Sequence, residues 1–342
     1  MGAGRKWTFR QILFFGGLAL WFLSTLVQTR MGAVVSLWTA LLFAALLLLA
    51  ALPTRTLALA ELIQPFCLGG TMIGVVVLIA WGFDLVLGTK ATAMRAMGIP
   101  LVEETVKIAP ALWVLYRLGE RRWTLGATDV LLLAAAGGLG FYWVEEAFVI
   151  RNQGGWSFLG SFPTTDITGG GHSFIAGHAI WASISGLGIG VALLLRGSKL
   201  QMLLIGVSGF LWSALDHGAN NYIVAFRDSL SSVFAAISGE GYVSLYIFLV
   251  GAGLAVILDL YCIYPGLLKL REARLPPFPS SWEDTKQAWR YLRLRRQFAY
   301  AVARYKREDG IDKARAAVVA SSVDAALHNW HLRNAETETI AA

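Results

Sequence analysis

The chain is poor in charge and nearly free of cysteine. Of 342 residues, 15% are Asp, Glu, Lys or Arg and 56% are hydrophobic. So few charges cannot cover a water-soluble surface, and with a mean hydropathy of +0.58 they exclude an ordinary soluble domain and make the bilayer the main solvent. Cys67 and Cys262, each inside an apolar run, exclude a disulfide framework and a cysteine-rich metal centre, and read as buried, inert thiols. An internal repeat is missing. So is a small-residue cleavage site between Ser24 and Gly32, and the first apolar run is therefore expected to stay in the protein rather than leave as a signal peptide.

What the chain does have is long apolar runs. A helix crossing about 30 Å of hydrocarbon needs about 20 residues, and by that measure the sequence predicts an all-α, polytopic transmembrane helix bundle of about eight spans. The runs cover residues 12–28, 33–52, 66–87, 98–118, 128–149, 174–195, 200–224 and 242–264. Arg5, Lys6, Arg10, Arg55, Arg121, Arg122, Arg196 and Lys199 fall on one side of the membrane, together with the tail from Lys269. That side is richer in basic residues than the one bearing Arg30, Lys90, Arg95, Arg151 and Arg227, which puts both termini in the cytoplasm of a multi-pass cell-membrane protein. The net charge of +7 then reflects loops and a tail facing anionic membrane lipids, with no nucleic acid as partner.

Composition changes after Pro265, dividing a membrane domain, 1–265, from a cytoplasmic tail, 266–342. Ser281 and Asp284 form a capping box opening a helix to about Glu308, Asp309-Gly310 is a turn, and 311–333 is again helical in composition. The tail reads as a basic helical hairpin, a solvated or membrane-lying appendage, with Trp289, Leu292, Tyr305, Val318 and Leu327 as apolar positions.

Ionisable residues at membrane depth cost several kcal/mol unless paired, facing a cavity or functional. Here they are concentrated. Glu103, Glu104 and Lys107 lie early in the fourth run, Glu145 and Glu146 late in the fifth, His178 early in the sixth and His217 late in the seventh. Consecutive spans are antiparallel, so early positions of one and late positions of the next share a level, about 7 to 11 Å below one interface at 1.5 Å per residue. Four spans are thus expected to deliver Glu103, Glu145, His178 and His217 to one layer. Glu103 and Lys107 share a helix face in the favourable order for an ion pair, as His217 shares one with Asn221. Glu103 and Glu104 diverge by about 100°, which leaves one of them a supporting role. Two imidazoles and a carboxylate from different helices can form a three-donor metal site with an open position, and a further carboxylate can accept a proton from water. Proton- or cation-coupled transporters also gather Glu and His at this depth, so the spacing alone leaves a relay open beside hydrolysis.

Glu103-Glu104-Thr-Val-Lys107, Phe141-Tyr-Trp-Val-Glu145 and Phe174-Ile-Ala-Gly-His178 resemble the EExxK, FxxxE and FxxxH strings of the PrsW family of intramembrane metalloproteases. His217-Gly-Ala-Asn-Asn221 resembles the last histidine segment of the superfamily shared with type II CAAX-prenyl endopeptidases. The resemblance covers about residues 66–225, four strings in order on four apolar runs. It implies a peptidase cutting a membrane protein, such as an anti-sigma factor, in or beside its span. It also implies Glu103 as the water-activating carboxylate with Glu104 beside it, Lys107 as their charge partner and Asn221 as orienter or transition-state donor. Glu145, His178 and His217 would be ligands, or nearest supports, of a metal, Zn2+. Glu146 stands where relatives often have Asn, which makes it an alternative to Glu145.

A non-catalytic partner-binding protein, or a haem protein ligated by His178 and His217, is a further reading of the same residues. His172, after Gly169-Gly170-Gly171, reads as a loop or supporting residue, and Asp216 as a packing or solvent-contacting one. Asp84 and Asp259 read as lone interfacial acids, His328 and His331 as exposed, and the loop 151–171 as a gate or a plain surface connection.

Overall fold

The computed structural model describes residues 31–87, 93–146, 176–195, 198–239, 241–272 and 285–307, with 321 and 323 beyond them. Among the described residues every regular element is a helix and no strand occurs. Numbered in order they form α1 (Met31–Ala50), α2 (Leu59–Leu87), α3 (Ala93–Arg117), a 3-10 helix (Gly119–Thr124), α4 (Ala127–Val144), α5 (Gly177–Leu195), α6 (Lys199–Phe226), α7 (Ser229–Ser238), α8 (Tyr242–Glu272) and α9 (Thr285–Arg307). The run 12–28, the loop 151–171, the segment 311–333 apart from 321 and 323, His172, His328 and His331 lie outside the described side chains.

Seven of the eight expected apolar runs fall on α1 to α6 and α8. Among the described residues five helical stretches are long and apolar enough to cross a membrane: α2, α4, α5, α6 and the stretch Ser229–Arg271. The described apolar part of α1 is shorter, Leu37–Ala50. α3 falls below that standard because it carries Arg95, Glu103, Glu104, Lys107 and Arg117. Such a helix is compatible with lipid only if its charges turn inward.

α4 is the axis of the bundle. All of its residues are buried, enclosed by α1, α2, α3, α5 and α8. Lipid-facing surface falls instead on outer helices, where Leu78, Trp81, Val86, Leu254 and Ile257 are exposed. Glycine makes the close packing of α4 possible. A Cβ on Gly137 would lie 2.6 Å from the carbonyl oxygen of Lys107 on α3, and one on Gly138 would lie 2.6 Å from that of His178 on α5. Adjacent residues of one helix therefore set the approach of the two helices that carry Lys107 and His178.

A helix without solvent contact must have its first N–H groups satisfied by protein. Asp259, from the middle of α8, accepts from the backbone N–H of Ala127 at 2.8 Å and of Thr128 at 2.9 Å, and from the Thr128 hydroxyl. Asp129 accepts from Gly126 N at 3.1 Å, Thr56 N at 2.9 Å, Thr56 Oγ1 at 2.8 Å and Leu57 N at 3.2 Å. Asp259 is thus no lone interfacial acid but a fully buried cap. Asp84, the other acid read that way, pairs with Arg95 at 3.0 Å.

Two further features depart from the sequence reading. The stretch between the last two spans is not a plain loop. It contains α7, opened by Asp228 accepting from Ser231 N at 2.9 Å and closed by left-handed Gly239, with Leu230, Val233 and Ile237 exposed along one side. α8 also runs past the end of the last apolar run, 242–264, through Pro265 to Glu272. Its last turns receive α9, whose Tyr291 packs with Leu270 and whose Ala299 and Tyr300 pack with Cys262 and Ile263. This first tail helix is docked on the bundle rather than solvated, because its apolar face finds the side of α8 next to Gly266.

Gly137→Ala and Gly138→Ala are each expected to cost about 1–3 kcal/mol by overpacking, read as a lower melting midpoint of the purified protein in detergent. Gly82→Ala, where nothing lies within 4 Å of the added carbon, is expected to leave it unchanged or slightly higher. Equal midpoints for all three would contradict the central role given to α4.

Candidate functional site

Four helices bring their ionisable residues together at one end of α4. Lys107 is fully buried, and its Nζ lies 2.7 Å from Glu104 Oε1 and 3.5 Å from Glu103 Oε2. The same ammonium contacts His178 Nδ1 and lies 4.8 Å from the centre of the Phe141 ring. Glu104 Oε1 is also 2.9 Å from His217 Nδ1, while His217 Nε2 is 3.5 Å from Glu103 Oε2. Glu145 meets His178 at Nε2. The expected layer of Glu103, Glu145, His178 and His217 is therefore one contiguous cluster, with Glu104 and Lys107 inside it.

Glu103 and Glu104, expected to diverge, both reach His217 and Lys107, but on different atoms. Glu104 takes the Nδ1 side of the imidazole and Glu103 the Nε2 side. With Nδ1–H donated to Glu104, the Nε2 lone pair of His217 faces Glu103, the arrangement by which a carboxylate behind an imidazole fixes a ligand's tautomer. At the end of α4 the backbone passes into a π-turn at Glu145–Glu146, a distortion frequent at functional positions. It leaves Glu145 against His178, with Glu146 half-buried beside it. Asn221, one turn beyond His217 on α6, is half-buried, and no hydrogen bond to a described residue holds it.

The cluster fits a divalent metal. Ligand atoms of Glu103, His178 and His217 all lie within 4.8 Å of one another, and donors about 2.0–2.2 Å from a tetrahedral ion need only a modest contraction from there. Glu103 Oε2 is buried without a hydrogen bond among the described residues, an acceptor waiting for a partner. Glu103, Glu104 and Glu145, written as ionised, outweigh the one ammonium of Lys107 by two negative charges, the excess a divalent cation neutralises. The group within that distance contains Glu103 beside the two histidines, while Glu145, expected among the ligands, meets His178 at Nε2.

The sequence reading passed over the wall of the pocket. Trp181, one turn after His178, stacks on the His217 ring with centroids 4.2 Å apart at 15°. Its Nε1 donates to Asp216 Oδ2 at 2.7 Å, and the same oxygen accepts from Ser244 Oγ at 2.6 Å. Asp216 is thus neither idle packing nor solvent-exposed. It points away from its neighbour His217, as adjacent helical residues must, and instead holds the indole that covers that imidazole. A carboxylate inside an apolar run was the available signal, since burial is tolerable only with donors supplied.

Among known proteins, a family model described as PrsW family intramembrane metalloprotease matches residues 29–253, so the match spans all four helices of the cluster. No curated protein and no solved structure matches.

Asp216→Ala strands the Trp181 N–H and the Ser244 hydroxyl in a buried setting. It is expected to cost about 1–3 kcal/mol, seen as a lower melting midpoint and a shifted tryptophan fluorescence maximum; a wild-type melt and spectrum would count against the role given to Asp216.

Proposed function

The chain belongs to the PrsW family of intramembrane metalloproteases, and from that premise we propose that it hydrolyses a peptide bond of another membrane protein, in or beside its span, at the pocket around Lys107. The observation that carries this reading is the unsatisfied Glu103 Oε2, buried among two imidazoles and an ammonium. The transporter, partner-binding and haem readings of the same residues find no counterpart in the family match.

In this proposal Glu103, His178 and His217 hold the metal, Zn2+, which when bound lowers the pKa of water and polarises a carbonyl. Glu104 fixes the His217 imidazole through Nδ1, and Lys107 balances the charge of Glu103 and Glu104 where no bulk water can. Glu145, which meets His178 at Nε2 and faces the same cluster, accepts the proton of the attacking water and returns it to the leaving amine. Asn221, a half-buried amide with no hydrogen bond to a described residue, donates to the carbonyl oxygen as charge develops on it. The roles of Glu103 and Glu145 are exchanged relative to those carried over from the family strings, because ligand atoms of Glu103 and both histidines lie within 4.8 Å of one another. The substrate class is a membrane-anchored protein, of which an anti-sigma factor is an example, and the setting is the cell membrane with both termini cytoplasmic.

Metal content and cleavage, measured on the same purified samples, separate the roles. Glu103→Gln and His217→Ala are expected to lose both bound metal and cleavage of a membrane-protein substrate found by comparing membrane fragments with and without the enzyme. Glu145→Gln is expected to keep the metal and lose cleavage by about 100-fold or more. Cleavage surviving in Glu103→Gln would defeat the proposed site, and a Glu145→Gln sample without metal would restore the original assignment.

A further inference from the structure

At the other end of α4 the structure gathers positive charge. Arg55 follows α1, Arg121 sits on the 3-10 helix, and Arg290, Arg293 and Arg296 recur every three residues on α9. α9 is seated there by two bonds to backbone: Arg296 Nη1 donates to the Arg55 carbonyl at 3.0 Å and Gln297 Nε2 to that of Thr56 at 3.3 Å. The Arg293 guanidinium feels the charges of Glu61, Arg121, Arg55 and Arg290, and that of Arg296 the charges of Arg55, Asp129 and Arg293. Burial pulls Arg293 below the usual arginine range; Glu61 opposes the shift and the neighbouring guanidiniums add to it.

The acids close to this cluster are already engaged. Glu61 accepts from both terminal nitrogens of Arg121, and Asp129 is surrounded by the four donors at the start of α4. Arg55 is 8% exposed, and its Nε is buried with no hydrogen-bond acceptor among the described residues. A buried, charged donor without an acceptor is costly. Like charges at close range add to that cost. Both costs vanish if an anion sits among these groups, and phosphate oxygens are the acceptors that planar arginine forks match in pairs.

We infer that Arg55, Arg121, Arg293 and Arg296 form a binding site for a phosphate group, presented by an anionic phospholipid headgroup or by a soluble phosphate. The site joins three pieces of chain: the turn after α1, the 3-10 helix and α9. A phosphate there fastens the tail helix to the bundle. The inference is independent of the chemistry assigned to the Glu/His pocket at the opposite end.

The test uses full-length protein purified in detergent and stripped of lipid. Dioleoyl-phosphatidylglycerol, dioleoyl-phosphatidylcholine and inorganic phosphate at matched ionic strength are added separately, with retention read by native mass spectrometry and stability by melting. The wild type is expected to retain phosphatidylglycerol over phosphatidylcholine, with the preference falling about five-fold for each of Arg293→Gln and Arg296→Gln. Stabilisation by inorganic phosphate over chloride, lost in the same variants, would support the site and identify a soluble source. Equal retention of the two lipids by the wild type, with no effect of phosphate, would overturn the inference without need of any variant. So would a phosphatidylglycerol preference that survives in the folded Arg293→Gln/Arg296→Gln protein.

Discussion

α4 has no face to give to lipid or water, and that constraint reaches both ends of the molecule. Its first N–H groups are satisfied by carboxylates, Asp259 arriving from α8 and Asp129 from its own first turn. Along its length Gly137 and Gly138 bring it to within carbonyl contact of α3 and α5. At its last turn it delivers Glu145 to His178. The helix that is most buried thus aligns the helices carrying the chemistry, although it supplies only one carboxylate of the cluster.

The cluster itself is affordable at membrane depth because its charges are mutually compensating. Lys107 reaches Glu103, Glu104 and His178 from one buried position. His217 is held between two carboxylates by its two ring nitrogens and covered by Trp181, which Asp216 and Ser244 fix in turn. Each layer removes freedom from the one inside it. Among the described residues Glu103 Oε2, like Glu104 Oε2 and Glu145 Oε2, is left without a hydrogen bond, and there a reactant or an ion has something to gain. The far end of the bundle follows the same logic with the sign reversed: Asp129 and Asp259 are saturated, while Arg55 keeps a donor in hand. A tail helix that looked like an appendage is built into that end, its Arg296 and Gln297 closing on the turn after α1.

Much of this was legible from the order of residues. Apolar runs located seven of the described helices, because a span must be long and apolar wherever it lies in the fold. The common level of Glu103, Glu145, His178 and His217 followed from antiparallel alternation alone, and the four short strings pointed to the family that the match over residues 29–253 establishes. Less visible were α7, whose exposed apolar stripe is shorter than any span, and the wall made by Trp181 and Asp216.

The amino-acid order by itself determined which residues lie at membrane depth and at which height, since hydrophobic length and 1.5 Å of rise per residue are properties of each helix alone. Only tertiary structure decided which ring nitrogen meets which carboxylate, that Glu103 comes within 4.8 Å of ligand atoms of both His178 and His217, and that Asp259 caps a helix far from it in sequence. Those outcomes depend on how helices rotate and approach one another. That rotation is set by contacts such as Gly137 to Lys107 and Gly138 to His178, which periodicity within a single helix does not encode.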